Sequence, residues 1–214
     1  PSVLVSALHF FEVAAGSKKA PEGDGKKKRR KSQANDEAEE EDSLTARFRL
    51  ASGSQDGKVR VWDLHKRNVV ANLESHVSDV QGLDYSPEQN ALVTAGRDKT
   101  ITWWDSRSWK VRKVVPCFEL VEAAGFIGDG SLTYTAGSNG CLRLWDTDTG
   151  KELTAEQTPK AETEAFVSAL YRPGLPFVLA LQADHTLALF EVPSKEACPK
   201  TPEPFRRISG THDE

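Results

Sequence analysis

Leu92-Val93-Thr94-Ala95-Gly96-Arg97-Asp98-Lys99-Thr100-Ile101-Thr102-Trp103-Trp104-Asp105 is the stretch from which the fold can be read. Two short β-prone runs flank a polar turn, and the second run ends in an aromatic residue followed by an acid. The same plan returns at Lys58-Val59-Arg60-Val61-Trp62-Asp63, at Cys141-Leu142-Arg143-Leu144-Trp145-Asp146 and, with substitutions, at Thr186-Leu187-Ala188-Leu189-Phe190-Glu191. The closing aromatics Trp62, Trp104, Trp145 and Phe190 lie 42, 41 and 45 residues apart. Six residues before each stands a turn acid or amide: Asp56, Asp98, Asn139 and Asp184. Self-similarity at a fixed period of this size marks a repeat architecture.

Working outward, each unit contains four strand-like runs. Val59 and Val61 alternate with Lys58 and Arg60, the period-two pattern of a half-buried strand. Asp56-Gly57 and Asn139-Gly140 are hairpin signals, because glycine accepts positive φ without steric cost. Upstream lie further runs at 4–8, 80–85, 121–126 and 166–171, and a closing strand follows each aromatic-acid pair, as at 69–73 and 110–115. Four antiparallel strands in about 40 residues make one blade of a β-propeller. The expected fold class is therefore all-β, with about four blades of a larger propeller. The blades are expected over 1–12 with 47–74, 75–115, 116–160 and 161–195, with 196–214 as a linker and the start of a next repeat. Both ends read as cuts through a repeat array, and the array is expected to continue on both sides.

Residues 13–46 break the pattern. They carry Lys18, Lys19, Lys26, Lys27, Lys28, Arg29, Arg30 and Lys31, then a run of acids from Asp36 to Asp42, and beyond Val13 their only large apolar residue is Leu44. Such a segment cannot bury enough surface to offset its ordering entropy, so it reads as a disordered, bipolar insertion in the first blade. Lys26, Lys27, Lys28, Arg29, Arg30 and Lys31 read either as a targeting or RNA-touching run or as a solvated loop tolerated because insertion there costs little.

Composition narrows the function. The 214 residues carry a formal net charge of −4, so no broad positive field surrounds the chain. Three cysteines, Cys117, Cys141 and Cys198, match neither a zinc nor a redox spacing. Five histidines show no metal spacing. Gly53-Ser54-Gln55-Asp56-Gly57-Lys58 lacks the spacing and following hydroxyl of a phosphate loop and joins strand to strand. The recurrent turn acids are architecture rather than a catalytic pair. No catalytic residue, metal or cofactor is expected. Trp103-Trp104 reads as packing between blades rather than as a stacking platform for bases. A propeller meets its partners through loops on a stiff ring. The residues just before the turn acids, Gln55, Arg97 and Ser138, are the candidate contacts, with Ala183 at the fourth position. Arg97 reads as a partner contact, or else as a solvated side chain or one paired with Asp98.

These motifs resemble the WD-repeat family across nearly the whole chain outside 13–46. The resemblance implies a hydrogen-bonded set of histidine, strand Ser/Thr, turn acid and tryptophan in each repeat. The second repeat matches it in full with His76, Thr94, Asp98 and Trp104. The third has Cys117 at the histidine position, with Thr135, Asn139 and Trp145. The first has Asp56 and Trp62, its histidine position falling before Pro1. The fourth has Glu162, Ala180, Asp184 and Phe190 and is expected to be the least rigid. The run 114–124, Ala95-Gly96-Arg97-Asp98-Lys99, the stretch 183–191 and the closing 209–214 further resemble the transducin-beta-like WD-repeat subunits of the small-subunit processome. That likeness implies two tandem, seven-bladed propellers in the UTP-B subcomplex and a scaffolding role on pre-ribosomal RNA and a small nucleolar RNA in the nucleolus. Its implied partners are other WD-repeat and scaffold proteins of a large ribonucleoprotein, with no membrane and no small-molecule substrate. A WD-repeat adaptor in signalling, chromatin or ubiquitin ligation is the competing expectation.

Overall fold

A computed structural model describes residues 4–12, 48–154, 164–199 and 201–209. The charged stretch 13–46, Glu162 and 210–214 lie outside the described residues. The chain forms four antiparallel sheets in sequence order. The first holds β1 (Val5–Glu12), β2 (Phe48–Ser54), β3 (Lys58–Asp63) and β4 (Asn68–Glu74). The second holds β5 (Val80–Ser86), β6 (Ala91–Gly96), β7 (Thr100–Asp105) and β8 (Val111–Pro116). The third holds β9 (Val121–Ile127), β10 (Leu132–Gly137) and β11 (Leu142–Asp146). The fourth holds β12 (Phe166–Tyr171), β13 (Phe177–Gln182), β14 (Leu187–Glu191) and β15 (Arg206–Ile208). Every sheet is a meander, each strand paired with its neighbour in sequence. This is the partial β-propeller that the repeats predict.

The sheets stack face to face, and the core lies between them in three layers. Val59, Val61 and Phe11 of the first sheet meet Leu83, Leu92 and Trp104 of the second. Val93, Ile101 and Trp103 of the second meet Val121, Phe126 and Trp145 of the third. Leu142, Leu144 and Tyr134 of the third meet Phe166, Val178 and Phe190 of the fourth. Period-two alternation explains why neighbouring tryptophans serve different layers. Trp104 points back to the first sheet and Trp103 forward to the third. Trp103 is 1% exposed, and its indole Nε1 donates to Thr133 Oγ1 of the third sheet at 3.0 Å. The ring is thus consumed by packing between blades.

The positive-φ turn position is glycine at Gly57 and Gly140 but Lys99 (φ 64°) and His185 (φ 65°) in the other sheets. The acid before it accepts the backbone N–H two residues on whether or not glycine follows, Asp56 from Lys58, Asp98 from Thr100 and Asp184 from Thr186. In the third sheet the described residues carry the start of a fourth strand: Asp146 N donates to Lys151 O at 2.9 Å, Leu153 N donates to Leu144 O at 2.8 Å, and Glu152 bridges to Trp145.

Candidate interaction surface

The turns β2–β3, β6–β7, β10–β11 and β13–β14 share one end of the sheets, and a single backbone hydrogen bond repeats there. Gln55 N donates to Leu4 O at 3.2 Å, Arg97 N to Asp79 O at 2.9 Å, Ser138 N to Leu120 O at 3.0 Å and Ala183 N to Ala165 O at 2.9 Å. Each acceptor lies just before an inner strand. The residue ahead of each turn acid is therefore tied to the mouth of the inner strands, and all four are exposed. The inner strands reinforce the tie with a register break near that end, between Val5 and Ala7, Val80 and Gly82, and Phe166 and Ser168. Bulges of this kind bend a strand and re-aim its side chains.

Beneath this surface the second sheet carries a complete polar set. Asp98 accepts from His76 Nδ1 at 2.9 Å, from Val77 N at 3.1 Å and from Thr100 Oγ1 at 2.8 Å. On the other side of the ring, Nε2 lies 2.8 Å from the Thr94 hydroxyl. Thr94 Oγ1 in turn accepts from Trp104 Nε1 at 2.9 Å. The His76 and Asp98 side chains are 0% and 3% exposed. The set pins the loop before β5 to the β6–β7 turn, through hydrogen bonds made inside the fold.

The third sheet solves the same problem differently. Trp145 Nε1 donates to Thr135 Oγ1 at 3.0 Å, as the repeat predicts. Cys117 does not join this pair. Its Sγ contacts Glu119 O at 3.6 Å, and burial pushes its thiol up to about 12. Asn139 contributes its backbone N–H, which donates to Glu119 Oε2 at 3.1 Å. The charged partner is Arg143, whose Nε donates to Glu119 Oε1 at 2.7 Å while Nη1 donates to Glu152 Oε1 at 2.7 Å. Glu119 is fully buried, and burial raises its carboxyl above the usual range against the pull of Arg143. Sequence reasoning missed this pair. The signal was Arg143 itself, a cation between Leu142 and Leu144 in a strand whose every residue is buried.

The first and fourth sheets keep less. Trp62 Nε1 donates to Ser52 Oγ at 2.9 Å, and Asp56 Oδ1 accepts Lys58 N at 3.1 Å. In the fourth sheet Phe190 packs edge-on against Phe166, and Asp184 accepts from Thr186 N and Oγ1.

Arg97 pairs with Glu122 of the next sheet rather than with Asp98. Its Nε and Nη2 donate to Glu122 Oε1 and Oε2 at 3.1 and 3.2 Å. Asp98 is unavailable to it because His76 and Val77 occupy that carboxylate. The guanidinium, 47% exposed, thus forks across the seam between the second and third sheets. Ser138 sits on the same seam, where its Oγ accepts Leu120 N at 3.3 Å. Arg97 and Ser138 come together around β9. Gln55 lies on the first sheet.

The inner strands border a cleft of about 660 Å³. In it Asp84 Oδ2 accepts Phe126 N at 2.7 Å, and Oδ1 lies 3.3 Å from His9 Nε2. Burial raises the Asp84 carboxyl, with His9 opposing. Asp84 is a strut between β5 and β9. Among the described residues, no group of three or more His, Cys, Asp or Glu side chains could hold a metal ion. No helix among them is long and apolar enough to cross a membrane.

This sheet stack with its polar sets is a WD-repeat propeller, and the chain belongs to the WD-repeat family. The WD domain, G-beta repeat, matches residues 43–63 and 67–105. The chain is 32% identical over 160 residues to transducin beta-like protein 3 of Bos taurus, and 34% identical over 160 residues to that of Mus musculus. These alignments cover 70% and 69% of the chain and 20% of either relative, so the chain spans about a fifth of their length. WD repeat and SOCS box-containing protein 1 of Xenopus tropicalis is 31% identical over 102 residues, 46% of this chain and 24% of that protein. A chain in the crystal structure of the mitotic checkpoint complex shares the fold, with a TM-score of 0.63 at 20% identity, covering 77% of this chain and 50% of that one.

Proposed function

We propose that the protein is a non-catalytic scaffold of ribosome biogenesis, a nucleolar subunit of the small-subunit processome that assembles on pre-ribosomal RNA. The observation that carries this reading is the similarity to transducin beta-like protein 3 over 160 residues, which takes in the distinctive run 114–124. The physical case is compatible with it. The polar groups described beneath the loops pin turns, which suits a stiff platform. In this reading the partners are other WD-repeat and scaffold proteins, with RNA touched directly or through those neighbours. Lys26, Lys27, Lys28, Arg29, Arg30 and Lys31 serve as address or RNA contact, and the acidic half of 13–46 limits nonspecific binding.

The test is purification of the tagged full-length protein, followed by sequencing of the bound RNA. Enrichment of pre-ribosomal RNA and nucleolar imaging are the expected results; a diffuse protein without that RNA would sink the reading. Deleting 13–46 tests the basic run separately, since unchanged nucleolar enrichment rules out an essential targeting role. The second reading, an adaptor of ubiquitin ligation, is favoured by the similarity to a WD-repeat protein that carries a SOCS box. Co-purification of ligase subunits instead of pre-ribosomal RNA would decide for it.

A further inference from the structure

Phe118 is out of place on two counts. It is 78% exposed, and its backbone lies at φ 60°. The left-handed region is costly for a bulky side chain, and residues held there cluster at binding and switch sites. Trp109 also has a positive φ, of 55°, but its ring packs on the core beside Phe11. Phe118 has no such return, so neither backbone conformation nor burial accounts for a phenylalanine at this position.

The loop that carries it is fixed on both sides. Cys117 is 1% exposed and its N–H donates to Lys99 O at 2.9 Å. Glu119 points inward to Arg143 and to the N–H of Asn139. Leu120 exchanges hydrogen bonds with Ser138, N to Oγ at 3.3 Å and O from N at 3.0 Å. The ring therefore projects from a rigid platform, with little ordering left to lose on binding. Leu120, 37% exposed, extends the apolar surface. At the border Arg97 is taken up by Glu122 and lies near Asp79, the Glu119 carboxylate faces inward, and Lys99 is left without an acidic partner among the described residues.

We propose that Phe118 anchors a protein-binding surface on the seam between the second and third sheets, and that the partner is a folded protein offering an apolar pocket bordered by carboxylates. The inference rests on the scaffold reading and names the place and chemistry of one contact. Pre-organised aromatic anchors dominate the energetics of such interfaces. RNA is the poorer fit, because the border offers one unpaired cation where a phosphate backbone needs several.

The experiment uses the full-length protein in cells, with Phe118 replaced by the photoreactive p-benzoyl-phenylalanine. Illumination is expected to give an adduct with one other protein, at a peptide containing apolar residues and Asp or Glu. That protein is then purified and titrated with wild type, Phe118→Leu and Phe118→Asn. Asparagine tolerates the left-handed region, so Phe118→Asn should unfold at or above the wild-type midpoint yet bind about tenfold or more weakly. Leucine should retain part of the affinity. An adduct with RNA, an adduct within the same chain, no adduct, or wild-type affinity for Phe118→Asn would each overturn the proposal. A complex that assembles normally with Phe118→Asn leaves the scaffold reading standing; a full-length protein that holds no partner removes both.

Discussion

Arg143 meets Glu119 at 2.7 Å in the interior of the third sheet, where the second sheet holds His76 against Asp98 at 2.9 Å. A histidine–aspartate pair and an arginine–glutamate pair each tie the loop before an inner strand to the hairpin that follows it. The arginine–glutamate pair is the more fragile solution, since each charge depends on the other for its solvation.

Arg143→Met should therefore destabilise the propeller by about 3 kcal/mol or more, because it leaves Glu119 buried without its cation. The double variant Glu119→Leu with Arg143→Met should recover most of that loss. Urea unfolding followed by tryptophan fluorescence checks both; equal losses in the single and double variants would show that the charge is not the cause.

In the second sheet, Trp104→Phe removes one hydrogen bond to Thr94 but keeps the ring in the layer, and should cost about 1 kcal/mol. His76→Ala strips a buried carboxylate of a partner and opens a cavity, and should cost about 3 kcal/mol. The ranking of the two unfolding midpoints is the measurement.

Gly137 has no room for a side chain, since a Cβ there would lie 2.0 Å from the carbonyl oxygen of Leu120. Gly137→Ala must push β9 and the Cys117–Leu120 loop outward, at about 1–3 kcal/mol. Amide hydrogen exchange should show lost protection at Ser138, whose N–H donates to that same oxygen.

Asp105 gives the acid limb of the stability curve a specific contribution. Arg112, together with Ser108, holds its carboxyl below the ordinary aspartate range. A lowered folded value means that the stabilisation is complete above the unfolded range, about 4, and is lost as pH falls below it. Asp105→Asn should lower stability at neutral pH and flatten the decline between pH 4 and about 2. Denaturant midpoints across that window are the check, and because Asp105 is partly exposed the effect should stay within about 1 kcal/mol.

Arg97→Ala breaks a surface ion pair and should change stability by less than about 1 kcal/mol. A contact role predicts lost association with partners at unchanged midpoint. If every co-purified partner stayed at its wild-type level, Arg97 would be reassigned as a brace for Glu122.

The architecture was legible because a repeat samples its pattern several times. Alternation such as Val59 and Val61 against Lys58 and Arg60 gave the strands, and the recurrent turn acids gave the hairpins. The polar set of the second sheet was legible only through the resemblance to the WD-repeat family, since the positions matching His76 hold Cys117 and Glu162 in the next two repeats. The Glu119–Arg143 pair was hidden because its buried acid occurs once, while Arg143 shares its place two residues before the tryptophan with Arg60. The Arg97–Glu122 fork was hidden because it joins two sheets, and spacing within one repeat carries no information about its neighbour.

The hydrogen bond from Trp103 to Thr133 bears on how far these blades can be traded. Thr133 Oγ1 also lies 2.9 Å from Thr147 Oγ1, so a tryptophan of one blade completes a hydroxyl pair wholly inside the next. A blade grafted from elsewhere in the array would bring its own side chain to that junction and leave the hydroxyls mismatched. The sheets share a blueprint, yet adjacency is written into them one seam at a time, so their order along the chain cannot be shuffled without redesigning each join.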